Sequence, residues 1–174
     1  MHIERVDRIA PAALAAEDFS FDIEWEAVAP FDGPGMPSVV PVEPRTKTYG
    51  VDESLSKPDF DSGRLLLAAK DEFHVAGYLL ATTAWNGCAS IEDIAISRRY
   101  RRTGIGKRLM DEAVAWAAAL NLRAIRLETQ SSNVSACRFY ARYGFVLGGY
   151  DRYLYSQLDE NVREDVALYW YLFL

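Results

Sequence analysis

The chain reads as an α+β protein on three observations. Strand patterns at Arg64 to Lys70, Val75 to Trp85 and Cys88 to Ser97 follow one another closely and predict a three-stranded antiparallel meander. Asn86-Gly87, between the second and third of these, is the strongest two-residue hairpin signal a sequence can carry. Beyond the meander, helical spacing from Ile105 to Leu120, a strand pattern from Ala124 to Glu128 and a second helical run from Asn133 to Tyr143 predict the order β-α-β-α-β-β.

The first sixty residues are less regular. Ile3 to Val6 reads as a short strand, and Pro11 to Ala16 as a short helix with Pro in its first turn. Phe21, Ile23 and Trp25 alternate with Asp22, Glu24 and Glu26, which predicts a half-buried strand. Five of the seven prolines, Pro30 through Pro44, punctuate a stretch of loops and edge strands. Asp52, Glu53, Asp59 and Asp61 make an acidic segment that reads as a solvated loop, with a substrate-attracting rim as the alternative.

The later elements carry clearer punctuation. Asp71-Glu72-Phe73-His74 is a turn between two strands. Ile105, Leu109, Met110, Ala113, Trp116, Ala117 and Leu120 form one apolar stripe, and Asn121 is the predicted stop. Ser132 or Asn133 is the predicted N-cap of the second helix, which Gly144 closes. Phe145 to Val146, Tyr153 to Tyr155 and Val166 to Leu172 are predicted strands.

Composition narrows the function. At 174 residues, half hydrophobic and a quarter charged, the chain is expected to be one globular domain, 1–174. Met1-His2-Ile3-Glu4-Arg5 lacks the features of a signal peptide, and no apolar run approaches the roughly 20 residues of a membrane span, so a cytoplasmic protein without a membrane partner is expected. Cys88 and Cys137 lack metal-ligand neighbours and read as buried free thiols; His2 and His74 are isolated in sequence, and no metal is expected. The net charge of −6 argues against nucleic-acid binding. An acidic protein with one basic turn suits an anionic cofactor and a cationic small-molecule substrate.

That turn is Arg101-Arg102-Thr103-Gly104-Ile105-Gly106, followed by Lys107 and Arg108, between the run Ile91 to Ile96 and the first long helix. A helix start leaves about four N–H groups without internal partners and about half a positive charge beside them. Gly104 and Gly106 let a phosphate approach, and the basic side chains add full charge. A P-loop needs a longer spacing and a Ser or Thr after the Lys, and the dinucleotide fingerprint needs a third glycine where this chain has Leu109.

Ile94-Ala95-Ile96, the R-x-x-G-x-G turn, and Asn133 followed by Phe139-Tyr140 and Gly144-Phe145 together resemble the GNAT superfamily of N-acetyltransferases. Trp85-Asn86, Ser90-Ile91-Glu92-Asp93-Ile94, Leu127-Glu128-Thr129-Gln130, Asn133-Val134, Ala136-Cys137, Leu147-Gly148-Gly149, Asp151 and Ala167-Leu168-Tyr169-Trp170-Tyr171 are similar to the streptothricin (nourseothricin) acetyltransferases within it. The resemblance implies a mixed sheet of about six to seven strands flanked by helices, with splayed strands holding acetyl-CoA. It implies acetyl transfer to a primary amine of a cationic small molecule, the β-lysine moiety of streptothricin first, and hence antibiotic resistance. Other amines (an aminoglycoside, a polyamine or a peptide) and a non-catalytic acyl-CoA-binding module are the alternatives, and a homodimer is left open.

By motif position, the resemblance assigns the pantetheine arm to the backbone of Ile94, Ala95 and Ile96 and the pyrophosphate to Arg101, Arg102, Thr103, Gly104, Ile105, Gly106 and Lys107. Asn133 and Ala136 complete the cofactor set, and Tyr140 hydrogen-bonds the cofactor sulfur as a catalytic residue. Arg102-Thr103 stands where Gly-Lys or Gly-His is commoner in the family. Glu92 occupies the position of the base or amine anchor, and by strand parity it is expected on one face with Ile94 and Ile96. Such a group matters because an amine with a pKa near 10.4 is neutral in only about one molecule in 2,500 at pH 7. Trp85 and Asp151, with Tyr153 and Tyr155, are expected to line the acceptor pocket, where aromatic faces and carboxylates suit a cation. Phe139 is expected to face the core beside Tyr140.

Overall fold

The computed structural model describes residues 1–50, 52–58, 63–72, 74–158 and 164–174. The strands are β1 (His2–Arg5), β2 (Phe21–Ala27), β3 (Val39–Lys47), β4 (Arg64–Lys70), β5 (Val75–Thr83), β6 (Cys88–Ile96), β7 (Ala124–Gln130), β8 (Val146–Asp151) and β9 (Ala167–Phe173). The helices are α1 (Pro11–Ala15), α2 (Ile105–Ala119) and α3 (Val134–Tyr143). Seven strands form one sheet in the order β1-β4-β5-β6-β7-β9-β8, and β2 and β3 form a second sheet of two. The expected α+β class and strand number are therefore met. Within the larger sheet β1, β4, β5 and β6 run antiparallel in turn, and β8 and β9 are antiparallel to each other.

By packing, the chain divides into two compact units, each built from separate stretches: residues 1–21, 47–125 and 174 in one, residues 22–46 and 126–173 in the other.

In the first unit, Leu66, Ala68, Tyr78 and Leu80 on one face of β4 and β5 pack with Ile9, Leu14 and Leu55. The alternate residues Leu65, Leu67, Leu79 and Ala81, also buried, point to the opposite face, where α2 packs through Ile105, Leu109, Met110, Ala113 and Ala117. Asn121, at φ 57°, terminates α2 in the left-handed conformation that its position predicts. Gly77 sits where β5 meets β6 most closely; a Cβ there would lie 2.8 Å from the Ala95 carbonyl oxygen, so only glycine permits this approach.

Two turns differ from expectation. The meander forms, but its β5–β6 connection is a three-residue loop: the Gly87 N–H donates to the Ala84 carbonyl, the Ala84 N–H to the Cys88 carbonyl, and Gly87 is left-handed at φ 81°. That is a type I turn followed by a left-handed glycine, which Asn-Gly also satisfies. Tyr153 to Tyr155 is a turn and not a strand, because the Asp151 carboxylate accepts from the Tyr153 N–H at 2.8 Å and bends the chain as β8 ends.

In the second unit, β3 carries Pro41 and Pro44 and, among the described residues, pairs with β2 alone, the edge position that proline tolerates. The core contains Ile23, Phe31, Leu127, Leu147, Leu168 and Trp170. The N-cap of α3 is Asn133, whose side chain accepts from the Ala136 N–H at 3.1 Å, and Gly144 closes the helix at φ 116°. Of the acidic segment, Asp52 caps a short 3-10 turn through Ser54; Asp59 and Asp61 lie outside the described residues, as does Phe73. Both cysteines are free thiols; Cys137 is buried, which pushes its thiol up to about 12, whereas Cys88, at the start of β6 beside the hairpin loop, is only half-buried, contrary to expectation. No described helix is long and apolar enough to cross a membrane.

Candidate functional site

The basic turn is built as the sequence predicts. β6 ends at Ile96, a single 3-10 turn covers Arg98–Tyr100, and α2 starts at Ile105 with Gly104 as N-cap at φ 87°. The backbone N–H groups of Arg102, Thr103, Gly104, Ile105 and Gly106 have no backbone acceptor among the described residues. They lie at the positive end of a 15-residue helix, so the turn presents a row of donors to an anion. Arg102 adopts φ 61°, a conformation that glycine reaches without strain and that accounts for the family preference at this position.

The basic side chains are used differently from expectation. Arg101 turns away from the row of donors: its guanidinium donates to the carbonyls of Ile96 (3.0 Å), Phe19 (3.1 Å) and Ser20 (2.6 Å). It holds the turn in place and contributes less direct charge than its sequence position suggests. Lys107 pairs with Asp111 one turn along α2 at 2.8 Å, while Arg102 and Arg108 are exposed.

Sequence reasoning missed a second support. Glu17, with a side chain only 2% exposed, accepts from the Ser97 hydroxyl (2.6 Å) and the Arg99 guanidinium and lies 3.0 Å from His74 Nδ1. Burial opposes its charge, but the hydrogen bonds from Arg99 and Ser97 outweigh this and hold its carboxyl below the ordinary range. Its neighbour Asp18 receives the Arg98 N–H on its carbonyl at 2.7 Å, so residues 17–20 clamp the chain leading into the turn. Ser97 and Arg99 lie about eighty positions from Glu17, which no local pattern reveals.

Along β6, Ile94, Ala95 and Ile96 pair with Leu79, Tyr78 and Gly77. The Ser97 N–H donates to Ala76 on β5, so by alternation the backbone groups of Ile96 and Ile94 point away from β5. Glu92 does not share their face. A β-bulge inserts it between the pairs Leu80–Asp93 and Ala81–Ile91, and it accepts from the Thr82 hydroxyl at 2.7 Å on the face that carries Tyr78 and Leu80. Parity fails here because a bulge adds one residue to one strand. Asp93, beside it, takes the Tyr78 hydroxyl at 2.8 Å; burial raises its carboxyl above the usual range.

In the second unit, α3 presents Val134, Cys137 and Tyr140 on its buried face. Tyr140 is buried and meets Phe139, Phe145 and Trp170 with ring centroids 5.5, 5.7 and 6.4 Å away. Phe139 is the half-buried member of the pair, opposite to expectation. Asn133 spends its carboxamide oxygen, and Ala136 its N–H, on the helix cap.

Of the predicted acceptor residues, Trp85 sits in the β5–β6 loop with its side chain in solvent, 98% exposed. Asp151 serves the turn described above, with Tyr153 exposed and Tyr155 buried.

Comparison with known proteins agrees with this architecture. The profile of the Acetyltransferase (GNAT) family matches residues 25–145. A streptothricin acetyltransferase of Escherichia coli is 37% identical over 132 residues, covering 76% of this chain and 72% of that protein. Streptothricin acetyltransferase A of Bacillus subtilis (strain 168) is 39% identical over 100 residues, 58% of this chain; the matched stretch spans 57% of that relative's length. Among solved structures, a protein of Bacillus anthracis described as a streptothricin acetyltransferase, in complex with acetyl coenzyme A, is 30% identical and superimposes with a TM-score of 0.80 over 99% of this chain and 97% of its own. The donor turn, the sheet that positions it and these matches lead to one assignment: the chain belongs to the Acetyltransferase (GNAT) family.

Proposed function

We propose that this chain transfers acetyl from acetyl-CoA to a primary amine of a cationic small molecule, with the β-lysine moiety of streptothricin as acceptor, and so confers resistance to that antibiotic. The observation that carries the reading is the row of N–H groups from Arg102 to Gly106, which fits a pyrophosphate. The outward backbone groups of Ile94 and the N–H of Ile96, whose carbonyl accepts from Arg101, would pair with the pantetheine arm as an added strand does. The relatives named streptothricin acetyltransferase support the acceptor.

In this reading a neutral amine attacks the thioester carbonyl, the carbon–nitrogen bond forms, the carbon–sulfur bond breaks and the electron pair leaves on sulfur. The Tyr140 hydroxyl hydrogen-bonds that sulfur. A phenol is ordinarily a weaker acid than a thiol, so a hydrogen bond suffices and full proton transfer is not required. Glu92, exposed on its bulge, receives the amine proton through water or anchors the ammonium beforehand.

The test is release of CoA thiol with streptothricin, an aminoglycoside, a polyamine and a lysine peptide as acceptors, with mass spectrometry to locate the acetyl group. Turnover is expected with streptothricin. Binding of acetyl-CoA without thiol release on any acceptor would leave only a binding module, and turnover confined to another amine would replace the acceptor.

A companion variant probes the turn. Gly104→Ala places a Cβ where the protein leaves open space but the φ of 87° is unfavourable, at a cost of roughly 1–2 kcal/mol. The added methyl also stands beside the donor row. KM for acetyl-CoA is expected to rise about tenfold, the equivalent of about 1.4 kcal/mol, with a smaller change in acceptor KM. An unchanged acetyl-CoA KM would move the pyrophosphate away from this turn.

A further inference from the structure

Trp170, the middle of the run Tyr169-Trp170-Tyr171, has no place in the mechanism and yet lies against Tyr140. Along β9 the side chains alternate: Leu168 and Trp170 are both 0% exposed, whereas Tyr169 and Tyr171 are only half-buried. In register with β8, Trp170 stands opposite Leu147, which is also buried. The indole meets the Tyr140 ring with centroids 6.4 Å apart and planes inclined at 50°. Two further rings hold Tyr140, and both belong to its own helix and the stop that ends it. Phe139 precedes it on α3 at 5.5 Å, and Phe145 follows the Gly144 stop at 5.7 Å, its N–H donating to the Tyr140 carbonyl at 3.0 Å. Of these three rings, only Trp170 stands on a strand of the sheet.

A second observation sets Trp170 apart from an ordinary core residue. Its Nε1–H is buried and has no hydrogen-bond partner among the described residues. A buried tryptophan usually finds an acceptor for that group, and a donor left without one costs stability that a phenylalanine in the same place would not forfeit. The larger ring therefore occupies the core despite its polar atom, and the ring of Tyr140 is among the groups it reaches there.

We propose that Trp170 is a positioning residue for acetyl transfer: from the sheet it fixes the rotamer of Tyr140, and with it the place of the hydroxyl that hydrogen-bonds the leaving sulfur. The inference rests on the acetyltransferase reading above and deepens it. A tyrosine on a helix has two favoured χ1 positions, near 180° and near −60°, which put its hydroxyl in different places. Contacts between rings select one of them. The selection matters because a displacement of about 1 Å at a reacting group costs up to about a hundredfold in rate. Being fully buried, Trp170 acts through Tyr140 and touches neither substrate.

The experiment measures kcat and both KM values for wild type, Trp170→Phe, Tyr140→Phe and the double variant, at a temperature where melting curves show all four folded. Trp170→Phe is expected to lower kcat about tenfold and to leave KM for acetyl-CoA within about twofold. In the Tyr140→Phe background the same substitution should lower kcat less than about twofold, because the hydroxyl it positions is gone. A merely structural role would lower kcat by the same factor in both backgrounds, and that result overturns the proposal, as does a wild-type kcat for Trp170→Phe. Ring-flip rates of Tyr140, read by NMR with isotope-labelled tyrosine, supply a measure independent of turnover. Trp170→Phe should speed the flips, and unchanged rates would refute the hold on the ring. If Trp170→Phe does not fold, wild type decides: slow flips at Tyr140 support the hold, and flips as fast as those of exposed Tyr153 refute it. Should Tyr140→Phe prove as active as wild type, or no amine be acetylated, the role of the hydroxyl fails by itself, and the flip rates still judge Trp170.

Discussion

Replacing Tyr140 by Phe is expected to lower kcat about a hundredfold while leaving KM for acetyl-CoA within about threefold, the signature of a group that acts on the leaving sulfur more than on binding. The substitution isolates the hydroxyl. The ring that remains keeps its contacts with Phe139, Phe145 and Trp170, so the fold has little reason to change. Tyr140→Ala would instead empty a buried aromatic site at a cost of roughly 3–5 kcal/mol and report on stability. Steady-state kinetics with both substrates varied, together with a melting curve, checks the prediction. Losses of equal size in kcat and in acetyl-CoA affinity would mean that Tyr140 helps to hold the cosubstrate and has no separate role in departure of the thiol.

The second large effect is expected at Glu17, a residue with no place in the chemistry. Glu17→Ala leaves the Ser97 hydroxyl, on a residue that is 0% exposed, without its acceptor and releases Arg99 to solvent. Because Arg99 is half exposed and can rehydrate, the loss falls below that of a fully buried pair, at about 2 kcal/mol, or roughly 4–8 °C in Tm. KM for acetyl-CoA should rise as well, because residues 17–20 hold the chain that enters the donor turn. The pH dependence has a definite sign. The folded carboxyl titrates below its ordinary 4.5, so its stabilisation is complete above that value and is lost as pH falls through the lower, folded value. Melting curves between pH 3 and pH 7 should therefore show a shallower acid loss for Glu17→Gln than for wild type. Parallel curves would remove Glu17 from the acid response.

What the sequence alone determines here is local. The apolar runs of β4 and β5, the apolar stripe of α2, the Asn133 cap, the Gly144 stop and the glycine turn each follow from interactions within a few residues, and each is found where the pattern puts it. The backbone of the donor turn was legible for the same reason, since a row of helix-start N–H groups needs only a turn and a helix to exist. Side-chain roles were less legible. One inserted residue in β6 moves Glu92 to the other face, and neighbours far along the chain decide that Tyr140 is buried and Phe139 only half so. Arg101 looked like a phosphate ligand until the carbonyls of Phe19 and Ser20 were brought to it. Backbone geometry is set by near neighbours, whereas burial, partnership and charge environment are set by whatever the fold brings within a few ångströms, so only the tertiary structure decides them.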